Sequence, residues 1–374
     1  MATTETITTG EGHEAAALLE RTRETVNPEL RRTVESLPGS MRRVAMYHFG
    51  WEREDGTPAA GNAGKAIRPA LVLAAAQALR GPEGQGEAAG ATGAAGAGGA
   101  AKAGDGPEAG AAAAIRAAVA VELAHNFTLL HDDVIDKDAR RRGRATAWTV
   151  FGIPDAIITG DAMLALALRL LAEDPHPASA AASTRLAACV IELCAGQQAD
   201  CAFEQRPDVS LDECLTMATA KTGALLGCAC ALGALYAGAG PDEVDAMDAF
   251  GREAGLAFQL IDDLIGIWGD PGHTGKPAGA DLLARKKSLP VVAALTSGTA
   301  AGRELAALYA GPMTGDDVHK AADAVERAGG RDWAQAHAAD RMGRAVQQLS
   351  RAVPDLGAAG GLLALAEFVT RRTR

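Results

Sequence analysis

Apolar residues in this chain return at steps of three and four, in a sequence poor in the residues that build sheets. Segments such as ALLERTRETV, RPALVLAAAQAL and LLALAEFVTRR show the spacing, which lays one apolar stripe along a helix. Aromatic residues make up only 4%, and β-branched residues are scarce beside alanine. No alternating run of Val, Ile, Thr or aromatic residues leads into an Asn-Gly or Asp-Gly hairpin. Alanine is the strongest intrinsic helix former, so the expected fold is all-α. With 374 residues, 48% of them apolar and 22% charged, the chain has ample material for a large core.

Composition removes several classes of function. A net charge of -11 argues against a nucleic-acid surface, which needs a basic face. Cysteines 189, 194, 201, 214, 228 and 230 have no histidine between His176 and His273 to complete a zinc site, and are read as reduced core residues. The opening MATTETITTGEGHE shows no basic-then-apolar export pattern and no Arg-rich transit pattern, so the cytoplasm is the expected location. From Thr222 to Pro241 there is no charge, a length that would span a bilayer. Its Ala and Gly content, opened by Lys-Thr and closed by Pro-Asp, fits a buried helix better than a lipid-facing one.

Two segments read as unstructured: an N-terminal tail over 1–20, and a Gly/Ala-rich stretch over 81–110 that lacks any large apolar residue. The second is expected to be a flexible inserted loop, because the motifs on its two sides belong together. One domain over 21–374 follows.

Chemistry concentrates first in LLHDDVIDKD. On a helix Asp132 and Asp136 stand one turn apart on one face, with Asp133 beside them. Three like charges this close, next to apolar residues, are costly unless cations neutralise them. Oxygen-only ligands suit magnesium, which keeps waters and takes one or two carboxylates plus substrate phosphates. Asp262 and Asp263 in AFQLIDDLIGIWGD repeat the arrangement after another apolar helical run. Two such helices packed face to face would wall a cavity in which cations grip a diphosphate and stabilise it as a leaving group. Basic residues follow each cluster: Arg140, Arg141, Arg142 and Arg144 after the first, Lys276, Lys286 and Lys287 after the second, with Lys65 and Arg68 in GKAIRP. Guanidinium groups bind phosphate oxygens in pairs, whereas lysine acts as a point charge.

These motifs occur in a specific order: GKxxRP, HxxxLxHDDxxD with RRG, GQxxD, KTG, FQxxDD, then GK and KKSLP. In that order they resemble the trans-isoprenyl diphosphate synthases, the polyprenyl synthetase family, and are most similar to its actinobacterial medium-chain members. The resemblance spans about Gly64 to Pro290 in motifs. It implies a single-domain helical bundle with a central cavity walled by two Asp-bearing helices, and a homodimer. The implied reaction extends an allylic diphosphate with isopentenyl diphosphate. Three magnesium ions would be held by Asp132, Asp133, Asp136, Asp262 and Asp263. By the same resemblance Arg141, Lys276 and Lys286 bind the allylic diphosphate, while Gly64, Lys65, Arg68, His125 and Arg142 bind isopentenyl diphosphate. Lys221, Thr222 and Gln259 would offset developing positive charge, and Gln197 and Asp200 would line the cavity.

One position departs from the pattern: Gly266 stands where many members carry a third aspartate. Asp270, one turn further, would share its face only if the helix continued past Gly269 and Pro271. Product length in the resembling family depends on bulky residues four and five positions before the first aspartate, here Thr128 and Phe127. One large and one small residue imply a product of about twenty carbons, geranylgeranyl diphosphate, with farnesyl diphosphate next. Two other functions fit parts of the pattern: a class I terpene cyclase, which needs no second diphosphate site, and a non-catalytic partner subunit.

Overall fold

The protein is described here from a computed structural model, over residues 4–61, 64–80, 107–270 and 278–370. Most of the expected insert, 81–106, and the proposed site residue Lys276 lie outside these residues. Among the described residues the chain is helical, as its alanine-rich periodicity requires. The exception is a two-residue ladder pairing Arg140 with Ala145 and Arg141 with Arg144. Its turn, Arg142–Gly143, has both residues at positive φ (50° and 76°), the backbone of the tight hairpins that suit strand twist. An arginine, Arg142, stands before the glycine where Asn or Asp is usual, so the turn carries no hairpin signature in sequence.

The chain packs as two compact units. The first comprises residues 1–188, 228–248 and 349–365; the second comprises 189–227, 249–348 and 366–374.

In the first unit, α1 (Thr4–Glu35), α2 (Gly39–Phe49), α3 (Ile67–Arg80), α4 (Pro107–Ile135), α5 (Ala147–Phe151) and α6 (Ile153–Ala172) gather around α4, which packs on α1, α3, α5 and α6. Helix α1 corrects the expected tail over 1–20. It runs from Thr4, and Ala15 and Leu19 are buried, because AALL supplies an apolar stripe within an otherwise polar opening. Residues 107–110, expected in the loop, already belong to α4. Small side chains set the spacing in this unit: Ala113, Ala114, Ala117, Ala118, Ala120 and Ala124 of α4 are all buried.

In the second unit, α7 (Ser179–Gln205) contributes its C-terminal part, followed by α8 (Leu211–Ala218) and a π-helical turn, Thr219–Gly223. Next come α9 (Ala224–Tyr236) and α10 (Pro241–Trp268), which the two units share. A full capping box opens α8, with Ser210 and Glu213 each satisfying the other's backbone N–H. Phe203, Met217, Leu256, Leu260, Leu264 and Leu289 build one core, and Ile267, Leu282, Val291, Leu305 and Val325 another. Two helical stretches, Gly110–Ile135 and Leu211–Tyr236, are long and apolar enough to cross a membrane. Yet 78% of the most apolar window of each is buried inside the protein, which is how a core helix behaves. All six cysteines are free thiols. Four are buried as expected, whereas Cys194 is exposed and Cys201 half-buried.

Candidate active site

The first acidic cluster lies at the C-terminal end of α4, the negative end of the helix dipole, where carboxylates are disfavoured unless a cation joins them. Asp132 occupies the last turn and Asp136 follows it, its N–H still bonded to the Asp132 carbonyl at 2.8 Å. The helix then closes through Lys137 at φ 57°, with the Asp138 N–H returning to the Asp133 carbonyl at 2.9 Å. That reversal brings the hairpin back onto the acids. Arg141 Nε donates to Asp133 Oδ1 at 2.7 Å. Asp133 is 1% exposed, and its Oδ2 has no hydrogen-bond partner. Burial raises its pKa against the lowering effect of Arg141. Asp132 and Asp136 remain accessible to solvent. Gly160 of α6 makes room here: a Cβ at that position would collide with the His131 ring.

Five residues expected to bind a second diphosphate all fall in the first unit. A Cβ on Gly64, whose φ is 127°, would lie 2.9 Å from Arg142 Nη2, so only glycine lets the GK segment meet the hairpin arginine. Lys65 beside it is exposed. Arg68 Nη1 donates to His125 Nε2 at 3.0 Å. Burial first, then Arg68, Arg142 and Arg141, hold the His125 pKa well below its ordinary value. The ring is therefore neutral, with Nε2 the acceptor and Nδ1–H its remaining donor. Beneath this cationic group lies a buried chain that sequence reading did not pick out. Asn126 Nδ2 donates to Glu122 Oε1 at 3.0 Å, and Asn126 Oδ1 lies 3.1 Å from His48 Nε2. Glu122, 4% exposed, faces the charges of Arg68 and Arg142. A glutamate one helical turn before the asparagine was the available signal, but such spacing is common in helices.

The second unit assembles the other expected residues. Gly196 of α7 lies so close to the π turn that a Cβ there would sit 2.6 Å from the Lys221 nitrogen. That contact sets Asp200 Oδ2 at 2.5 Å from Lys221 Nζ. Gly255 of α10 meets Gly223 in the same way, its Cβ position 2.8 Å from the Gly223 Cα. Across this crossing Thr222 Oγ1 donates to Gln259 Oε1 at 2.7 Å, and Gln259 Nε2 donates to Asp263 Oδ1 at 2.8 Å. The π turn shifts the backbone register of the KTG segment by one residue, a distortion frequent at functional sites. Gln197 keeps a buried Oε1 without a hydrogen-bond partner.

Asp262 and Asp263 point differently. Asp262 is exposed, whereas Asp263 is 4% exposed and both its oxygens are engaged, Oδ2 by the Leu289 N–H at 2.8 Å. Burial raises the Asp263 pKa to about 6, against the opposing charge of Lys286. Lys287 is a structural cation: its ammonium caps the end of α7 through the carbonyls of Phe203 and Arg206. Phe127 and Thr128 are both buried. The Phe127 ring stands edge-on to His131 at 4.8 Å, and Thr128 Oγ1 bonds the His125 carbonyl at 2.8 Å.

Magnesium fits this donor set. In the first unit the accessible acids Asp132 and Asp136 offer oxygen alone, with the buried, unpartnered Oδ2 of Asp133 in the same cluster; in the second unit Asp262 is likewise accessible. Among the described residues no three His, Cys, Asp or Glu side chains already converge as a metal cage. An ion that shares one or two carboxylates with a diphosphate needs no such cage.

Comparison with known proteins agrees with this chemistry. The sequence profile of the polyprenyl synthetase family matches residues 57–326. A geranylgeranyl diphosphate synthase of Mycobacterium tuberculosis is 46% identical over 359 residues, covering 95% of this chain and 93% of the relative. A (2E,6E)-farnesyl diphosphate synthase of the same species is 42% identical over 355 residues, 93% of this chain and 91% of that protein. The crystal structure of a polyprenyl synthetase from Streptomyces coelicolor A3(2) superposes with a TM-score of 0.82 at 41% identity, over 94% of this chain and 98% of that one.

Proposed function

The chain belongs to the polyprenyl synthetase family and is a prenyltransferase that makes linear trans-prenyl diphosphates, and from that premise we propose that its product is geranylgeranyl diphosphate. The observation that carries the reading is the pairing, in one unit, of two dissimilar groups. One is an acidic helix end with an orphaned carboxylate oxygen at Asp133; the other is a metal-free cationic group built from Gly64, Lys65, Arg68, His125 and Arg142. An enzyme that ionises one diphosphate needs only the first. A condensing enzyme needs both.

Asp132, Asp136 and Asp262, with Asp133 and Asp263 in support, would hold about three magnesium ions, whose charge would neutralise the allylic diphosphate as a leaving group. Arg141, fixed on Asp133, supplies bidentate charge to the same diphosphate, with Lys276 and Lys286 adding point charges. Arg68, Arg142 and Lys65 hold isopentenyl diphosphate, and the neutral His125 donates through Nδ1–H. Lys221, Thr222 and Gln259 surround the carbocation with dipoles. The Thr222–Gln259–Asp263 chain fixes the Gln259 amide so that its carbonyl need not reorient as charge develops. Gln197 and Asp200 line the same cavity, Asp200 holding Lys221 in place. Phe127 and Thr128 set chain length in this reading, one ring and one small side chain before the first aspartate being what the family resemblance associates with a product of about twenty carbons. A cytoplasmic homodimer is part of the proposal, in keeping with the family.

The test is incubation of the protein and magnesium with isopentenyl diphosphate plus, separately, dimethylallyl, geranyl or farnesyl diphosphate. A C20 diphosphate that requires isopentenyl diphosphate is the expected product. A C15 product would replace geranylgeranyl by farnesyl, and cyclic hydrocarbon formed without isopentenyl diphosphate would overturn the condensing reading.

A further inference from the structure

We propose that Asp281 supplies the third carboxylate of the second acidic cluster, standing in the space that Gly266 leaves open. This rests on the magnesium-dependent prenyl transfer proposed above. Residues four apart on a helix share one face, with Cβ atoms about 5–6 Å apart, so a side chain at 266 would project beside that of Asp262. Gly266 has none. A Cβ built on it would collide with an Asp281 carboxylate oxygen and lie 2.7 Å from the Asp281 Cγ. The carboxylate of Asp281 thus fills the volume in which an aspartate at 266 would begin. A side chain at 266 and Asp281 in its present place exclude one another.

The placement is fixed by packing rather than by the sequence of α10. Leu282 and Ile267, the residues that follow Asp281 and Gly266, are 0% and 3% exposed and belong to the same apolar core. Gly279 at φ 72° turns the chain into this contact. Asp281 and Gly266 are themselves only half-buried, so solvent reaches the carboxylate, as a partly hydrated cation requires. Asp281 also lies close enough to Asp263 to push against its charge. Lys286 already offsets the charge of Asp263, and a bound cation would join the two carboxylates more closely than that one ammonium does. Asp270 does not serve this place, since α10 ends at Trp268 and Asp270 lies beyond it.

Calorimetric titration of the full-length protein with inorganic diphosphate, across a range of magnesium concentrations, tests the assignment without relying on turnover. Asp281→Asn should raise the magnesium needed for half-maximal diphosphate binding by about 10–100-fold, with metal-free thermal stability equal to or above that of the unchanged protein. Gly266→Asp should unfold at lower temperature. The double variant Gly266→Asp with Asp281→Ala should recover both stability and the magnesium requirement to within a few-fold. An unchanged magnesium requirement in Asp281→Asn overturns the proposal, as does a folded double variant that binds no better than Asp281→Asn. If magnesium adds nothing to diphosphate binding by the unchanged protein beyond the magnesium-independent binding of the cationic group, the metal-dependent reading beneath the proposal fails first, and the proposal with it.

Discussion

On the proposed reading, single residues in this protein divide into those that meet substrate and those that hold them. Asp132 would belong to the first kind: it is accessible to solvent in the last turn of α4, at the negative end of the helix dipole. Asp132→Ala is therefore expected to abolish turnover while leaving the unfolding temperature in metal-free buffer unchanged or raised; wild-type turnover would remove it from the metal site. Phe127→Ala should lengthen the product, read from the diphosphates formed, and an unaltered product would leave Phe127 as core packing against His131. His48 is of the second kind. Burial, then Arg142 and Arg141, lower its pKa to about 3, and the Asn126 hydrogen bond offsets this only in part. The unfolded chain takes up that proton near pH 6.5 while the folded one refuses it until about 3. Folding stability contributed by neutral His48 is thus complete above about pH 6.5 and lost as pH falls toward 3, at up to about 1.4 kcal/mol per pH unit. Denaturant titrations at several pH values should show this acid slope flattened in His48→Gln.

At the level of elements, glycine decides where helices cross. The π turn and α10 approach through Gly223 and Gly255, and the Thr222–Gln259 hydrogen bond exists only because they do. Gly255→Ala would force the two apart, with a destabilisation of about 1–3 kcal/mol typical of overpacking. If Thr222 and Gln259 act as proposed, it should also lower kcat more than it raises KM, because their dipoles lose position. Equal kcat in a destabilised variant would separate the crossing from catalysis. Nothing in the KTG string announces a π-helical turn, since the distortion depends on what α7 and α10 press against it. The acidic helix ends were easier to read. An aspartate cluster closing a long apolar run can be seen in one dimension, and the Arg141 hairpin follows it within a few residues.

For the whole molecule, metal and diphosphate should act together on stability. Magnesium with inorganic diphosphate at about 100 times its dissociation constant should add about 2.7 kcal/mol, seen as a rise in unfolding temperature that exceeds the rise with diphosphate alone and that a chelator cuts back to it. An equal rise with diphosphate alone would point to binding by the cationic group without metal. The helical class and the family are legible in the sequence alone, because both are written in local spacing and motif order, and the same motifs are what point to the proposed acidic and cationic sites. Sequence alone misreads the first twenty residues, where a short apolar stripe was enough for a helix to dock. Only the tertiary structure decided which acid of each pair is buried and engaged: Asp133 by Arg141, Asp263 by Gln259 and the Leu289 N–H. It also decided that Glu122, Asn126 and His48 form one buried chain, and that Asp281 meets Gly266. The physical reason is the same in each case. Burial and the pairing of charges depend on which segments distant in sequence pack together, and residues far apart along the chain carry no local pattern that records their meeting.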